Sequence, residues 1–286
     1  MAGQFTLGYL GPQGTFTQRA AVEFSRRHSA DLKAFPSIPH ILNAVDQAEV
    51  ELGIVPVENS IEGTVNITLD MLAHELDLFI NGEIVIDIQH FLLGNNANGA
   101  GITKICSHPQ ALAQCHKYLY EFYPAAERIA VNSTAEAVQK VKARAGGFAA
   151  IGSLWAAERY GLHVISSNIS DNKINQTRFL ILGKKNYGLN KPTKTSLCLA
   201  LRENKPGELY EILEIFAREQ IDLSKIESRP AKDELGNYIF FLDCKIDIAA
   251  YQKDIIGYLK SKCKLIKVLG CYGNIKGDNH MGYQEV

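Results

Sequence analysis

An apolar segment of strand length, followed by a helix start with Ser, Thr or Asn, recurs along the first part of the chain. These polar helix starts are Thr15, Asn59 with Ser60, Ser107, Ser133 with Thr134, and Ser153. Strands that alternate with helices predict an α/β fold, in which helices cover the faces of the sheets. Such sheets bind ligands at the carboxyl ends of their strands, where helix N-termini offer free N–H groups to an anion. Each side chain alone is explained by helix capping, but together they indicate a cleft for a small anion, such as one with two carboxylates.

A second feature is the polar stretch NQTRF at residues 175–179, which precedes three apolar residues and then Gly183. The apolar part is typical of a buried strand that ends at a glycine. An amide, a hydroxyl and a guanidinium on consecutive residues do not fit a fully buried strand, because burying an unpaired polar group is costly. We expect them where a strand meets a loop at the mouth of a cleft; the alternative is a strand entry that faces plain solvent.

Length and composition are those of an ordinary globular protein. The chain has 286 residues, enough for about two domains, with 46% hydrophobic and 21% charged residues. The net charge of −1 gives no support for a nucleic-acid or membrane-surface partner. No apolar run reaches the roughly 18 residues of a membrane span. Residues 1–7 lack the features of a secretory signal, so a cytoplasmic location is expected.

The cysteines and histidines form no metal-binding pattern. None of the six cysteines belongs to a Cys-x-x-Cys motif, and most lie in apolar runs, where a free cysteine behaves as a small hydrophobic residue. The eight histidines are scattered without zinc-like spacing. The cysteines are therefore predicted to be reduced and buried, and no metal is expected. The glycine-containing turn at 11–15 lacks both the phosphate-loop ending and the dinucleotide fingerprint, which disfavours a nicotinamide enzyme.

The organisation changes after residues 186–194, a stretch with Gly188 and Pro192 that is predicted to be a linker. Beyond it, a strand, a helix, two strands, a helix and a strand are predicted at 195–201, 207–219, 221–228, 238–246, 249–263 and 265–272. This β-α-β-β-α-β order is that of a ferredoxin-like domain. Its sheet would have exposed edges, so pairing with a second copy of the chain is expected. Residues 276–286 are predicted to form a loosely held tail.

Several motifs, in order, resemble the signatures of the prephenate dehydratase family. They are GPQGTFT at 11–17, VPVENS at 55–60, SHPQ at 107–110 and TRF at 177–179. ESRP at 227–230 resembles the effector motif of that family's ACT domain. One departure is Glu208, which stands where the family's Gly-Ala-Leu motif has alanine. No chorismate mutase region precedes residue 5, so the chain resembles the monofunctional form.

The resemblance implies an architecture and an activity. Residues 1–185 would form a two-lobed catalytic domain like a type II periplasmic binding protein, with lobe one at about 1–77 and 164–185 and lobe two at about 78–163. Residues 195–275 would form the ACT domain. The implied reaction converts prephenate to phenylpyruvate, water and carbon dioxide without a cofactor. The implied regulator is L-phenylalanine, bound between ACT domains that pair in a homodimer or homotetramer.

The resemblance and the polar helix starts together give the candidate site residues. The catalytic candidates are Thr177, Arg178 and Phe179. The substrate-binding candidates are Thr15, Glu58, Asn59, Ser107, Gln114, Ser133 and Thr134. The candidates for binding phenylalanine are Asn204, Gly207, Leu209, Glu227, Ser228, Arg229 and Pro230.

Roles follow from the side-chain chemistry. The resemblance makes Thr177 the hydrogen-bond donor to the departing hydroxyl. Arg178 would bind a carboxylate or pair with Glu58, and Phe179 would keep the cleft poor in water. His108 has the better pKa for acid catalysis, but its position before a proline at a helix start favours a structural role. Two alternatives stay open, namely arogenate as the substrate and a non-catalytic amino-acid sensor.

Overall fold

The computed structural model describes residues 5–144, 146–203, 205–234, 236–251 and 254–275. Its helices are α1 (Phe16–His28), α2 (Ile38–Asp46), α3 (Asn66–His74), α4 (Pro109–Gln114), α5 (His116–Phe122), α6 (Thr134–Lys142), α7 (Leu154–Tyr160), α8 (Glu208–Arg218) and α9 (Ile255–Lys262). Its strands are β1 (Phe5–Leu10), β2 (Ala30–Phe35), β3 (Leu52–Asn59), β4 (Gly63–Thr64), β5 (Phe79–Asp87), β6 (Phe91–Gly94), β7 (Lys104–Ser107), β8 (Glu127–Ala130), β9 (Phe148–Gly152), β10 (His163–Ser166), β11 (Gln176–Gly183), β12 (Lys194–Leu201), β13 (Leu223–Pro230), β14 (Tyr238–Cys244) and β15 (Cys263–Tyr272).

These strands form three sheets. The first has the order β2-β1-β3-β11-β5, with β4 paired to β3, and its β1 and β2 run parallel from the pair Phe5–Ala30 onwards. The second has the order β10-β6-β9-β7-β8 and mixes parallel and antiparallel pairs. The third, β13-β14-β12-β15, is antiparallel throughout. The predicted mixed α/β class is confirmed.

The chain divides into two compact units. The first comprises the described residues of Met1–Ile41, Ile54–Val65 and Val85–Phe179, and the second those of Leu42–Gly53, Asn66–Ile84 and Leu180–Val286. The first unit contains the whole second sheet, and the second unit contains the whole third sheet. The lobe and domain boundaries expected from the sequence stay predictions.

The second sheet is covered on both faces because neighbouring residues of its strands point in opposite directions. On one face, Leu93 packs with buried residues of α6 and α7, among them Val138 and Ala156. On the other face, Leu92 packs with Ala111 of α4 and Leu119 of α5. This burial fixes β6, β7 and β9, and with them the segments that precede and follow these strands.

The third sheet has the predicted β-α-β-β-α-β element order. Leu197 and Leu199 of β12 pack against Ile212 and Phe216 of α8, as the spacing of the apolar residues predicts. The second helix begins later than predicted, at Ile255, because the carboxylate of Asp254 accepts a hydrogen bond from the N–H of Gly257 and caps it there. The first strand after α8 reaches Pro230, which is tolerated because β13 is an edge strand.

One local correction matters for the site. The sequence placed Asn59 with Ser60 at a helix start, but Asn59 is the last residue of strand β3. The strand continues to Asn59 because β4 pairs with it, so that Glu58 lies opposite Thr64 and Asn59 opposite Gly63. Gly63, the first residue of β4, has a φ of 83°, a conformation that suits glycine. Glu58 and Asn59 are therefore held by a regular ladder.

The cysteines are free, as predicted; five are buried and Cys271 is partly buried. Burial raises the pKa of Cys198 to about 12, so this thiol stays protonated at neutral pH. None of the helices in the described ranges combines the length and the apolar character needed to cross a membrane.

Candidate active site

The head of β11 carries the residues that stood out in the sequence. Gln176 is exposed and Thr177 and Arg178 are half-buried, whereas the strand is buried from Phe179 onwards. The predicted change from a polar strand entry to a buried strand is confirmed. Phe179 is only 2% exposed, so its ring belongs to the core beneath the two polar residues.

Asn59 is the centre of a hydrogen-bond network at this strand head. Its Nδ2 donates to Oδ1 of Asn175 at 2.8 Å and to Oγ1 of Thr177 at 2.9 Å. Its Oδ1 accepts from the backbone N–H groups of Ile61 and Glu62, both at 3.0 Å. Because backbone N–H groups only donate, they fix which end of the Asn59 amide faces Thr177.

Gln114, the last residue of α4, extends this network. Its Oε1 accepts from Nδ2 of Asn175 at 3.0 Å and lies 3.1 Å from Nε2 of His90. Its Nε2 donates to Oε1 of Glu62 at 3.1 Å. Gln114 is 9% exposed, so its side chain is turned inward.

Backbone hydrogen bonds hold together the two segments that carry the network. The N–H of Ser60 donates to the carbonyl of Gln176, and the hydroxyl of Ser60 accepts from the N–H of Gln176, both at 2.9 Å. The N–H of Ile88 donates to the carbonyl of Asn175 at 2.8 Å. Beside these contacts lies an open pocket, lined by Ser60, Ile61, Asn172, Lys173 and Ile174. The network is thus fixed through main chain as well as side chains.

Arg178 forms an ion pair with Glu58, the residue before Asn59. Nη2 of Arg178 lies 3.1 Å from Oε2 of Glu58, and the two side chains are 13% and 38% exposed. A partly buried pair of this kind is less screened than a surface pair. The pairing with Glu58 that the sequence allowed for Arg178 is observed, and binding of a substrate carboxylate by Arg178 stays a prediction.

The turn before α1 is packed by polar contacts of its own. The N–H of Gly14 donates to Oε1 of the buried Gln18 at 2.7 Å, and Nε2 of Gln18 donates to the hydroxyl of Tyr9 at 3.3 Å. Nε1 of Trp155 on α7 donates to the same Oε1 at 3.4 Å. Burial raises the pKa of Tyr9, so it stays a neutral phenol. The turn is thereby held against α7.

The predicted helix caps are only partly as expected. Oγ1 of Thr15 accepts from the N–H of Gln18 and donates to the carbonyl of Leu10. Ser133 caps α6 by accepting from the N–H of Glu136, and its neighbour Thr134 is the half-buried first residue of that helix. Within the described part of the chain, these bonds go to backbone atoms and do not join the Asn59 network.

The prediction that Ser107 caps α4 is wrong. The cap is His108, whose Nδ1 accepts from the N–H of Gln110 at 3.3 Å, so the structural role favoured for His108 is confirmed. Ser107 is the last residue of β7 and is 0% exposed. Its hydroxyl donates to the carbonyl of Ile151 at 2.8 Å. It faces the neighbouring strand because the chain leaves the sheet one residue later than the cap assignment required.

Three residues of the network were missed as site candidates: His90, Glu62 and Asn175. Asn175 belonged to the polar stretch, and its position at a strand entry was a usable signal. Glu62 reads as a surface residue of a turn, and His90 lies between two apolar strands where a core histidine is equally expected. The structure makes them part of the site because Gln114 contacts all three.

The effector candidates lie on two elements of the third sheet's domain. Gly207 is the N-cap of α8 with a φ of 95°, and Leu209 is half-buried in its first turn. Glu227, Ser228, Arg229 and Pro230 end β13. The unusual Glu208 accepts a hydrogen bond from the N–H of Glu203 at 3.1 Å and closes the turn before α8. Asn204 lies outside the described residues.

Arg229 has the most extensive contacts of this group. Its Nε lies 3.1 Å from Oδ1 of Asp70 and its Nη1 lies 2.8 Å from Oδ1 of Asn66, both on α3. Lys232 pairs with the other oxygen of Asp70 at 3.0 Å. Burial alone would raise the pKa of Asp70, but hydrogen bonds from Lys232 and Arg229 outweigh it and lower that pKa. The end of β13 is thus fastened to α3.

Within the ranges that the structure describes, no group of three His, Cys, Asp or Glu side chains is arranged to hold a metal ion. The site consists instead of amides, a hydroxyl and one ion pair. Such a set can orient a substrate and donate hydrogen bonds at defined points.

Comparison with known proteins identifies the family. The family model of prephenate dehydratase matches residues 7–187. The chain is 40% identical over 269 residues to the prephenate dehydratase of Methanocaldococcus jannaschii, which covers 92% of this chain and 96% of that protein. It is 41% identical over 271 residues to the bifunctional chorismate mutase/prephenate dehydratase of Stutzerimonas stutzeri, covering 93% of this chain and 72% of that one.

A solved structure gives the same result. The crystal structure of a prephenate dehydratase from Arthrobacter aurescens in complex with L-Phe aligns with a TM-score of 0.84 at 32% identity, over 94% of this chain and 90% of that chain. A mixed α/β enzyme of the lyase class is therefore the kind of protein that this fold and site define. The chain belongs to the prephenate dehydratase family.

Proposed function

We propose that this chain catalyses the decarboxylating dehydration of prephenate to phenylpyruvate, water and carbon dioxide, a step of L-phenylalanine biosynthesis. The observation that carries the proposal is the orientation of Thr177 by Asn59 at the head of β11. Membership of the prephenate dehydratase family supports it. A cytoplasmic location stays a prediction from the sequence.

The reaction sets three tasks for the protein. Prephenate carries a pyruvyl carboxylate, a ring carboxylate and a ring hydroxyl. The bond between the ring and its carboxylate breaks, its electron pair enters the ring, and the hydroxyl leaves with its bonding pair from the opposite carbon. The departing hydroxide takes up one proton from the bulk solvent and becomes water, so each turnover consumes one proton. The protein must grip the pyruvyl carboxylate, limit the solvation of the ring carboxylate and stabilise the departing oxygen.

Thr177 is proposed to stabilise the departing oxygen. Because Oδ1 of Asn59 is occupied by two backbone N–H groups, its Nδ2 faces Thr177 and donates to Oγ1. The hydroxyl hydrogen of Thr177 is then available for an acceptor outside the network. A threonine is a poor acid, so we propose hydrogen bonding rather than full proton transfer. A preoriented donor of this kind lowers a barrier by about 3 kcal/mol.

The other candidates divide into groups that orient the site and groups that bind the substrate. We propose that Arg178 acts through its ion pair with Glu58, which holds the head of β11 to the end of β3. The buried ring of Phe179 excludes water from behind Thr177. The helix starts at Thr15, Ser133 and Thr134 are proposed to bind a carboxylate through their N–H groups. A direct contact of Ser107 with substrate stays a prediction.

The finer architectural and regulatory assignments are also proposals. The catalytic region is proposed to have the two lobes of a type II periplasmic binding protein, and the C-terminal β-α-β-β-α-β domain is proposed to be an ACT domain. L-phenylalanine is proposed to bind there, between paired copies, and to inhibit turnover. The related structure from Arthrobacter aurescens in complex with L-Phe supports an effector role for this amino acid.

The test is phenylpyruvate formation by the purified full chain, with prephenate and arogenate as separate substrates and with or without L-phenylalanine. We expect turnover of prephenate and its suppression by phenylalanine. Turnover of arogenate alone would move the assignment to an arogenate dehydratase. A folded protein that binds phenylalanine but converts neither substrate would be the amino-acid sensor.

A further inference from the structure

We propose that His90 is a positioning residue, which holds the amide of Gln114 in the orientation that the hydrogen-bond chain leading to Thr177 requires. The change in kcat that we expect rests on the proposed function. The orientation of the side chains and the tautomer of His90 rest on geometry alone. His90 lies between β5 and β6 and is absent from the motifs that identify the family in the sequence. It takes no direct part in the proposed chemistry.

The surroundings of His90 hold its ring in one place. It is 3% exposed, and its backbone carbonyl accepts from the N–H of Ile169 at 3.1 Å. The ring of Phe16 meets it edge to face, with centroids 6.1 Å apart and an interplanar angle of 73°. Nε2 lies 3.1 Å from Oε1 of Gln114. A buried ring packed in this way has little freedom to reorient.

The direction of the chain follows from groups that can act in only one way. The carboxylate of Glu62 accepts and does not donate, so the NH₂ of Gln114 faces it. Oε1 of Gln114 must then face His90 and Asn175, and both of these must donate to it. With its NH₂ used in this way, Asn175 presents Oδ1 to Nδ2 of Asn59. The same polarity continues to Oγ1 of Thr177.

His90 therefore carries its proton on Nε2. Nδ1 of His90 has no hydrogen-bond partner among the described residues. An unprotonated Nδ1 without a hydrogen-bond partner costs little free energy, whereas a buried Nδ1–H without an acceptor would be costly. Burial also lowers the pKa of His90, although the hydrogen bond with Gln114 acts in the opposite direction. The ring is thus a neutral Nε2–H donor.

The donor from His90 matters because Gln114 is weakly held at its other end. Glu62 is exposed, so water competes with its contact to Gln114. When the His90 donor is lost, a flip of the Gln114 amide brings two NH₂ groups together at Asn175. Turning the amide of Asn175 does not relieve this clash, because Asn59 is held by backbone N–H groups and keeps its own NH₂ toward Asn175. Asn175 is then displaced, and Asn59 loses an acceptor that helps to hold its Nδ2 beside Thr177.

The kinetic test compares His90→Gln with His90→Met. The two side chains have similar length, but only glutamine supplies a donor near the position of Nε2. We expect His90→Met to lower kcat about tenfold with little change in KM, the size that loss of one oriented hydrogen bond gives. We expect His90→Gln to recover most of the loss. Equal turnover of wild type and His90→Met, or equal loss in both variants, would overturn the inference.

A double-mutant cycle shows whether His90 acts through Gln114. If it does, His90→Met has little further effect on kcat in a Gln114→Leu background, because the residue that transmits the effect is already gone. Fully additive losses in kcat would contradict the inference. They would mean that His90 contributes through packing alone.

The tautomer can be read in the unaltered protein, so the inference stays testable if the variants fold poorly. In enzyme with ¹⁵N-labelled histidine, long-range proton–nitrogen correlation spectra distinguish a protonated Nε2 from a protonated Nδ1. We expect Nε2–H for His90 at neutral pH, and an Nδ1–H tautomer would refute the chain direction. A wild type without prephenate turnover would overturn the proposed function but leave this measurement intact.

Discussion

Each of the two compact units has an arginine–carboxylate pair at a strand end. In the first unit, Nη2 of Arg178 at the head of β11 lies 3.1 Å from Oε2 of Glu58. In the second unit, Arg229 at the end of β13 contacts Asp70 through Nε and Nη2 and also contacts Asn66. The first pair lies beside a network of amides, whereas the second is a fork that uses Nε and both terminal nitrogens of the guanidinium.

This difference distinguishes the candidate active site at Arg178 from the structural contact at Arg229. Next to Arg178, amide groups with fixed direction leave the hydroxyl of Thr177 with a hydrogen to donate outside the network. Around Arg229, the donors are taken up by Asp70 and Asn66, and bidentate pairing gives geometric specificity. Helix α3, which contains Asp70, follows β4 in the chain after one residue. The segment that contacts Arg229 is therefore continuous in sequence with the β3–β4 segment that carries Asn59.

Reversing the polarity of the amide network should have the largest effect. Asn59→Asp keeps the size of the side chain but replaces the donor Nδ2 with an acceptor oxygen. The hydroxyl of Thr177 should then donate to this carboxylate instead of to the substrate. We expect kcat to fall at least about a hundredfold, measured as phenylpyruvate formation.

The control for this substitution is a stability measurement. Asn59→Asp leaves the backbone ladder of β3 and β4 in place, so the variant should stay folded by circular dichroism. A folded variant with near-normal turnover would show that the direction of the Asn59 amide is unimportant for catalysis.

Breaking the second pair should affect regulation rather than turnover. In Asp70→Asn the fork of Arg229 loses its charged partner, and hydrogen bonds to charged groups contribute about 2 kcal/mol. We expect the free energy of unfolding to fall by about that amount in urea titrations. Basal turnover should be unchanged, and the concentration of L-phenylalanine needed for half inhibition should rise several-fold.

A matched variant is available on the same segment of chain. Asp77 is 95% exposed and pairs with Lys267, which is also held by the carbonyls of Leu72 and Leu76. Asp77→Asn should therefore leave both stability and inhibition as in wild type. Equal loss of inhibition in the two variants would mean that the Arg229 fork has no special part in regulation.

The smallest expected effect is on the pH dependence of stability. Burial lowers the pKa of His90 from its ordinary value of 6.5. As pH falls below 6.5, the unfolded chain takes up a proton that the folded chain does not, so the free energy of unfolding decreases until the folded pKa is reached. We expect a shallower decrease in His90→Gln, compared by urea denaturation at pH about 7.5 and about 5.5. The exposed His163→Gln serves as the control, and the same slope in wild type and His90→Gln would contradict the assignment of a buried neutral ring.

Local features of this fold could be predicted from sequence, because their causes are local. Thr15 and Ser133 begin helices through hydrogen bonds to residues three positions later, and Gly161 ends α7 at a φ of 64°. Burial along β11 follows from its own apolar residues. The β3–β4 pairing was missed because two residues of strand leave almost no periodic signal.

The candidate site was predictable as a set of residues but not as a network. Asn59 and Asn175 are 116 positions apart in sequence, and nothing in the spacing of amides tells which of them meet. The position of Ser107 was misjudged because a serine at a strand end and a histidine before proline are both able to cap a helix. His90 was missed because one buried histidine looks the same in sequence whether it packs or orients.

The measurement that tests the account most directly is prephenate turnover by Thr177→Val and Thr177→Ser beside wild type. Valine keeps the branched shape and removes the hydroxyl, whereas serine keeps the hydroxyl. With both variants folded, we predict that Thr177→Val loses at least about a hundredfold in kcat, the effect of removing one preoriented donor, and that Thr177→Ser keeps most of the activity. Near-normal turnover by Thr177→Val would contradict the role of Thr177 as the donor to the departing oxygen.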